Sequence, residues 1–180
     1  SDNLKRFIFD LNINDLNPNN FYKFNKSLKI SSLKGNLKGE YQENLFVNAN
    51  LTLNNSFVLN ADFKTQKDNF EVRINNNSFD LDIQKVSDLI KVKSNKDELK
   101  NLGKELNKIL EIPTLNLSGL VNLDLQIFTN SSNDILFELN SPKISYENES
   151  VENISIKGNL KSENLIFERL NFVVGKVYDI

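Results

Sequence analysis

The side chains that could act in catalysis are carboxylates and one serine motif, because the chain contains no histidine and no cysteine. Without these residue types there is no Ser-His-Asp or Cys-His pair, no imidazole acid–base group and no zinc site of the usual ligands. Asp80 and Asp82 could form a carboxylate pair of the kind that glycosidases use. They alternate, however, with apolar residues, as the solvated residues of a β-strand do, and we expect them to be structural.

Ser31 and Lys34 match the Ser-x-x-Lys pattern of penicillin-recognising enzymes. That pattern belongs at the start of a helix and acts with Ser-Asp-Asn and Lys-Thr-Gly motifs, neither of which occurs in this sequence. The sequence also has no glycine-rich phosphate loop and no calcium-binding loop. We therefore expect no catalytic residue, no metal and no cofactor, and we interpret the chain as a binding or structural protein rather than an enzyme. A hydrolase that uses only carboxylates is the least favoured alternative.

Composition narrows the range of partners. The chain has 22 basic and 24 acidic residues, for a net charge of −2, and no block of basic residues that would attract nucleic acid. No apolar run approaches the roughly 20 residues that are needed to cross a bilayer. Because the chain contains no methionine, we expect it to be a segment of a longer protein, whose signal peptide or membrane anchor would lie outside it.

Residues 1–84 are predicted to form an N-terminal β-meander. Between Leu45 and Ile83 apolar and polar residues alternate, which is the period of a strand with one apolar face. The alternation keeps its phase across three polar turns, two of them rich in asparagine, a residue that tolerates a left-handed backbone. Antiparallel partners share a face. We therefore expect the turns to be flanked by the pairs Leu53 with Phe57, Thr65 with Phe70, and Ile74 with Phe79.

Residues 85–113 are predicted to be a helical insertion. From Asp97 to Glu111 the apolar residues recur every three or four positions, and this spacing places them in one stripe along a single face of a helix. Ser94 or Asn95 could cap this helix, and Pro113 would end it. We expect the helix to be docked on the sheet; a helix that binds a membrane surface or a partner is the less favoured alternative.

Residues 114–180 are predicted to form a C-terminal β-meander that continues the same sheet. The period of two returns at Leu115 and continues to Thr129, about 15 residues, whereas ordinary strands have 3 to 10. This length indicates either an elongated sheet or a bend, for which Gly119 is the candidate.

A short sequence repeat, which we call the echo, occurs in the two β-regions. The phrase Leu33-Lys-Gly-Asn-Leu-Lys38 recurs as Ile156-Lys-Gly-Asn-Leu-Lys161, and each is followed by Glu-Asn-Leu, at residues 43–45 and 163–165. The echo favours a duplication of strands. A chance match is the competing explanation, because asparagine, lysine and leucine are abundant in this chain.

The predicted fold class is mainly β, with a curled antiparallel sheet whose apolar face lines an open groove, a β-taco, and with one internal amphipathic helix. The alternative is a β-sandwich in which the apolar face is buried in a closed core, and periodicity alone does not separate the two. The candidate binding residues are the apolar residues of two strand regions: Leu45, Val47, Leu51, Leu53, Phe57, Leu59, Phe63, Leu115, Leu117, Val121, Leu123, Leu125 and Ile127.

Two strand phrases resemble those of the AsmA-like superfamily, which includes TamB and YhdP. They are Leu117-Ser-Gly-Leu-Val-Asn-Leu-Asp-Leu125 and Val151-Glu-Asn-Ile-Ser-Ile-Lys-Gly-Asn-Leu-Lys-Ser-Glu-Asn-Leu-Ile-Phe-Glu-Arg-Leu170. The likeness is best over residues 114–175 and looser over 28–84, and it rests on strand patterns without a catalytic signature. The chain departs from the family pattern in being short and in its internal helix.

The resemblance implies a fragment of a Gram-negative envelope protein that is anchored in the inner membrane. In such proteins a curled sheet forms a hydrophobic groove across the periplasm, for phospholipid transport or for outer-membrane biogenesis. The implied partners are phospholipid acyl chains bound along the candidate residues, and envelope or outer-membrane assembly proteins. The alternative function is a structural or adhesive β-module with a closed core.

Overall fold

A computed structural model describes residues 6–20, 29–94, 97–110, 116–130, 134–161 and 164–176. Strands make up 72% of these residues, and the prediction of a mainly β fold is therefore confirmed. In chain order the strands are β1 Phe7–Leu16, β2 Leu33–Tyr41, β3 Leu45–Leu53, β4 Phe57–Gln66, β5 Asn69–Asn75, β6 Asp80–Val86, β7 Leu89–Ser94, β8 Asp97–Glu98, β9 Leu117–Ser118, β10 Leu120–Phe128, β11 Ile135–Tyr146, β12 Glu149–Lys161 and β13 Asn164–Lys176. An α-helix, α1, spans Leu99–Leu106, and a single 3-10 turn spans Pro18–Asn20.

The strands form one open antiparallel sheet. Its order is β1-β2-β3-β4-β5-β6-β7-β10-β11-β12-β13, with β8 paired to β10 and β9 paired to β11. Neighbouring strands of a sheet are typically rotated by roughly 20 to 25° relative to one another, so that ten successive steps would add about 200 to 250° of twist. The sheet is not closed on itself, which is consistent with a curled, groove-like sheet. The groove-like open sheet is thus confirmed, and the β-sandwich alternative is wrong, because the described strands all belong to this sheet.

Turn chemistry explains the hairpins at β3–β4 and β4–β5. Leu53 pairs with Phe57, as predicted, across a turn in which Asn54 and Asn55 adopt left-handed φ values of 52° and 56°. Thr65 pairs with Phe70, also as predicted.

The predicted pairing of Ile74 with Phe79 is wrong, because Ile74 pairs with Leu81. The side chain of Asn76 accepts hydrogen bonds from the backbone N–H groups of Ser78 and Phe79, at 2.7 and 3.1 Å. Six residues rather than the expected four therefore lie between Ile74 and its partner, and Phe79 is buried in the turn, outside the strand.

The helix is shorter than predicted. It begins at Leu99 rather than Asp97, because Asp97 and Glu98 pair with β10 as β8. Its N-cap is Glu98, whose carboxylate accepts from the backbone N–H of Asn101 at 2.9 Å. The predicted cap Ser94 instead ends β7 and accepts a hydrogen bond from the Leu123 N–H. Asn95 and Pro113 lie outside the described residues.

Residues 85–113 contain more than the expected helical insertion, since β7 also lies within them and pairs with both β6 and β10. The β7–β10 pairing joins the N-terminal strands to the C-terminal strands in one sheet. The helix lies at the end of the sheet where the β3–β4 turn is found. There the side chain of Asn54 donates to the backbone carbonyls of Lys29 and Lys108, and the Lys108 ammonium donates to the carbonyl of Ser56 at 3.1 Å.

Gly119 is the bend in the long C-terminal strand region, as predicted. Its φ is 134°, a conformation that side-chain-bearing residues rarely adopt, and a Cβ atom there would lie 2.1 Å from the carbonyl oxygen of Lys143. Leu117 and Ser118 before it pair with Tyr146 and Ser145, and β10 begins after it. The bend thus separates β9 from β10.

Candidate functional site

On one surface of the sheet, which we call the apolar face, apolar side chains form three rows that run across the strands. The central row connects register partners on all eleven consecutive strands, without one polar residue. Its members are Phe9, Gly39, Val47, Phe63, Val72, Ile83, Val92, Leu125, Phe137, Gly158 and Phe167. At about 4.8 Å between strands, this row is on the order of 48 Å long.

Two further rows flank the central row. The row nearer α1 is apolar except for Ser94, and consists of Leu11, Leu37, Ala49, Ala61, Ile74, Leu81, Ser94, Leu123, Leu139, Ile156 and Leu170. The row at the opposite side has two polar members, Thr65 and Lys85, among Phe7, Tyr41, Leu45, Phe70, Ile90, Ile127, Ile135, Leu160 and Leu165.

Two glycines of the central row make room for aromatic rings. A Cβ atom at Gly39 would lie 2.3 Å from Cζ of Phe9, and one at Gly158 would lie 2.7 Å from Cζ of Phe137. Both glycines occupy the second strand from an edge of the sheet, β2 and β12. Phe137 also meets Phe167 edge-to-face, with ring centroids 6.2 Å apart. The glycines therefore let aromatic side chains cover the row where a side chain of their own would collide.

The apolar face is the more shielded face of the sheet, but it is not sealed. Phe57 on this face is 2% exposed, whereas its neighbour Val58 on the opposite face is 45% exposed. The buried apolar residues of the described part of the chain all lie on the apolar face: Ala49, Phe57, Phe79, Val121 and Ile154. Within the described ranges no large side chain falls below 2% exposure. Most of the other apolar-face residues on the inner strands are half-buried, and several of those on the edge strands β1 and β13 are exposed, as expected for an open trough rather than a closed core.

The two long sides of the apolar face differ. The longer connections of the chain, 17–32 and 95–116, leave and return at the side of the sheet where α1 lies. The rings of Phe57 and Phe79 stack there, with centroids 6.1 Å apart, and both are buried. At the opposite side the strands are connected by short links such as 42–44, 67–68 and 87–88. The helix α1 and the buried Phe57–Phe79 pair therefore lie at the same side of the apolar face.

The trough reaches both edges of the sheet. On β1 the apolar-face residue Phe7 is 61% exposed, and on β13 Leu165 is 56% exposed. Each belongs to the row farthest from α1. Apolar surface is thus accessible at both ends of the rows.

Most of the candidate residues lie on this face. Val47 pairs with Phe63, Leu51 with Leu59 and Leu53 with Phe57 across β3 and β4, and Leu45 lies in the same phase. On β10, Val121, Leu123, Leu125 and Ile127 alternate along the same face. Leu117 lies beyond the Gly119 bend on β9, and Leu115 lies outside the described residues.

The candidate set omitted the strands that connect its two groups. Between β4 and β10 the central row continues through Val72, Ile83 and Val92 of β5, β6 and β7. The alternation that contains Val72 and Ile83 was visible in the sequence. Strand β7 has only six residues, and its alternation of Ile90 and Val92 with lysines was the signal for it.

The polar residues that could have acted in catalysis are engaged with partners on the opposite face and at the turns. Asp80 accepts from Arg73 at 2.6 Å, Asp82 lies 3.8 Å from the same guanidinium, and this hydrogen bonding raises the pKa of Arg73. The hydroxyl of Ser31 donates to the Asn54 side chain, and the Lys34 ammonium donates to that of Asn55. Ser31 precedes a strand and not a helix.

Among the residues that the structure describes, no cluster of three or more acidic side chains is arranged to hold a metal ion. No helix in the same residues is long and apolar enough to cross a membrane. In comparisons with family models, with curated proteins and with solved structures, nothing matches the chain significantly.

Proposed function

We propose that this chain is a segment of a periplasmic hydrophobic-groove protein that binds phospholipid acyl chains and conducts phospholipid between the inner and the outer membrane. One observation carries the proposal: the central row is apolar on all eleven consecutively paired strands, from β1 at one edge to β13 at the other, and lies on a half-exposed face. An exposed apolar surface of this extent on a protein marks an interaction site rather than ordinary surface.

The physical basis is the transfer of acyl chains from water to the trough. Each methylene that leaves water gains about 0.8 kcal/mol. The headgroup can stay hydrated at the side of the trough away from α1, where the row contains Thr65 and Lys85. Bound chains would lie along the rows, because apolar side chains succeed one another continuously in that direction.

The resemblance to AsmA-like envelope proteins supports the proposed location of the chain in the periplasm, in a parent protein anchored in the inner membrane. It also supports an alternative task of the same groove, assistance to outer-membrane assembly, with envelope or outer-membrane assembly proteins as partners. The half-exposed apolar face favours a binding groove over a structural or adhesive module, because such a module would need these side chains in a sealed core.

A pair of adjacent substitutions tests the proposal. Leu59→Asp places a charge on the apolar face, whereas Val58→Asp places the same charge one residue away on the opposite face. The purified chain would be incubated with vesicles that contain a phospholipid with a photoreactive acyl chain, and the crosslinked lipid would be measured by mass spectrometry. We expect Leu59→Asp to abolish crosslinking and Val58→Asp to retain it.

The β10 group provides a second pair, Leu123→Asp on the apolar face and Asn122→Asp on the polar face. Circular dichroism of each variant determines whether the fold is kept. The proposal is wrong if the wild-type chain acquires no lipid, or if the variants on both faces lose crosslinking equally while remaining folded.

A further inference from the structure

Of the residues that form the three rows of the apolar face, Lys85 is the one with a charged side chain. It belongs to the row farthest from α1 and lies opposite Phe70 of β5 and Ile90 of β7. The rings of Phe70 and Phe63 have centroids 6.2 Å apart, which places this register position on the apolar face. Strands β5, β6 and β7 are interior strands, each paired on both sides, so that the surroundings of Lys85 are complete within the sheet.

The ammonium group of Lys85 has no polar partner among the described residues. It forms neither a hydrogen bond nor an ion pair with them, although Asp68 and Asp88 lie in the turns at the same side of the sheet. Thr65, the other polar member of this row, differs from Lys85, because its hydroxyl accepts a hydrogen bond from the backbone N–H of Leu45 at 3.0 Å. The sheet itself therefore uses the polar group of Thr65 and leaves the charge of Lys85 unpaired.

An occupied trough changes the surroundings of this charge. In the empty trough Lys85 is half-buried, and such a lysine keeps its ammonium in water while its aliphatic stem lies along apolar neighbours. Acyl chains that fill the trough displace part of this water, and an unpaired charge in apolar surroundings is costly. The three rows contain no carboxylate that could pair with the ammonium. An anionic group of the ligand can do so, through a charge-assisted hydrogen bond.

We propose that Lys85 binds the phosphate of an anionic phospholipid, and that the trough thereby selects lipids with a net negative headgroup over zwitterionic lipids. This inference rests on the proposed function, to which it adds a headgroup position and a lipid class. Lys85 and Ile83 of the central row lie on the same face of β6, so that a phosphate at Lys85 leaves the acyl chains against that row. A zwitterionic headgroup brings a cation of its own, for which the rows offer no carboxylate.

Lys91 provides a matched control for Lys85. It follows Ile90 on the neighbouring strand β7, lies opposite Gln84 on the polar face, and is exposed. Like Lys85, it forms no ion pair with the described residues. Replacement of either lysine by glutamine changes the net charge of the chain by the same amount. The two variants therefore differ in the face of the sheet from which the charge is removed.

The test measures the choice between two lipids within one sample. The purified 180-residue chain is incubated with vesicles of equal parts phosphatidylglycerol and phosphatidylcholine that carry the same photoreactive acyl chain, and mass spectrometry quantifies each crosslinked lipid. We expect the wild type to crosslink phosphatidylglycerol about fivefold more than phosphatidylcholine, a preference that one partly exposed ion pair can support. Lys85→Gln should abolish the preference, with total crosslinking and the circular dichroism spectrum retained, and Lys85→Glu should invert it. Lys91→Gln should keep the wild-type preference.

The outcomes separate failure of this inference from failure of the proposed function. Equal crosslinking of the two lipids by the wild type overturns the role of Lys85 and leaves acyl-chain binding intact. A preference that survives in Lys85→Gln, or that falls equally in Lys91→Gln, overturns it as well. If neither lipid is crosslinked, the proposed function is wrong, and lipid selection by Lys85 is wrong with it.

Discussion

The first strands of the hairpins β2–β3 and β12–β13 contain nearly the same six-residue phrase, at residues 33–38 and 156–161, yet the second strands of the two hairpins have different surroundings. Strand β3 lies between β2 and β4, and its apolar-face residues are half-buried or buried. Strand β13 lies at the edge of the sheet and is exposed along its length. The alternation determines which side chains share a face. The number of neighbouring strands determines how far that face is withdrawn from water.

The glycines of the two phrases also differ. Gly35 has a φ of 144°, and a Cβ atom there would lie 2.1 Å from the backbone oxygen of Asn50 on β3. The φ of Gly158 is not in the left-handed region, and its Cβ would lie 2.5 Å from the oxygen of Ile166 on β13. The backbone conformation at the glycine therefore differs between the two copies of the phrase. A duplication of strands stays a prediction.

The largest difference in stability between the interior and the edge of the sheet should come from replacing a phenylalanine by alanine. Phe57, on β4 beside β3, is nearly fully buried and stacks on Phe79, whereas Phe167 on β13 is half exposed. Phe57→Ala should lower the free energy of unfolding by about 3 kcal/mol or more, and Phe167→Ala by about 1 kcal/mol or less, since an exposed side chain leaves no cavity. Urea unfolding of the two variants measures this, and equal losses would contradict the comparison.

A smaller difference in the loss of stability is expected between alanine substitutions of Gly35 and of Gly158. Gly35→Ala forces a left-handed backbone conformation on alanine and a collision with an oxygen that is held between two strands, and we expect a loss of about 2 kcal/mol. Gly158→Ala collides with an edge strand that can move outward, and with the Phe137 ring, so that about 1 kcal/mol is expected. Thermal unfolding by circular dichroism ranks them. The reverse ranking would mean that β13 is held as rigidly as β3.

The smallest difference should appear in the pH dependence of the free energy of unfolding, through the carboxylates of Glu98 and Glu168. For Glu98, burial raises the pKa, but hydrogen bonds from the backbone N–H groups of Gly119, Asn101 and Lys100 outweigh it and hold the pKa below its ordinary 4.5. On β13, hydrogen bonds from Lys157 and then Asn159 lower the pKa of Glu168. A carboxyl with a lowered pKa in the folded state stabilises the fold above its unfolded-state pKa, and the contribution is lost as the pH falls through the folded-state value.

Glu98→Gln should cost up to about 1 kcal/mol at pH 7, and the gap to the wild type should narrow as the pH falls below about 4.5. Glu168→Gln should change the pH dependence of unfolding less, because this exposed carboxylate is held by two side chains rather than by fixed backbone groups. Urea unfolding at pH 7, 5 and 3.5 gives both profiles. A gap for Glu98→Gln that widens with acid would contradict the assigned pKa direction.

Local chemistry explains which elements could be predicted from the sequence. The hairpin with Asn54 and Asn55 follows from residues that accept a left-handed backbone, and the bend at Gly119 follows from a glycine within an overlong strand. The Ile74–Phe79 pairing failed because Asn76 bonds the backbone of its own turn, a competition that alternation does not report. The start of the helix was misplaced because Asp97 gains a partner strand and a hydrogen bond from the Asp80 N–H, both distant in sequence.

The candidate site also has one property that the sequence predicted and one that it did not. Membership of the apolar face could be read from the alternation along β3, β4 and β10. The continuity of the central row could not, because it depends on the register of β7 against β10 across the 95–119 connection.

The sequence by itself determined the strand period, the side chains that share a face, and the turns built from asparagine and glycine, because these depend on residues only a few positions apart. The tertiary structure decided which strands are neighbours, which ones are edges, and that the apolar rows line up from β1 to β13 without being sealed. Those properties arise from pairings between distant segments, and each pairing depends on the register and twist of every strand between them.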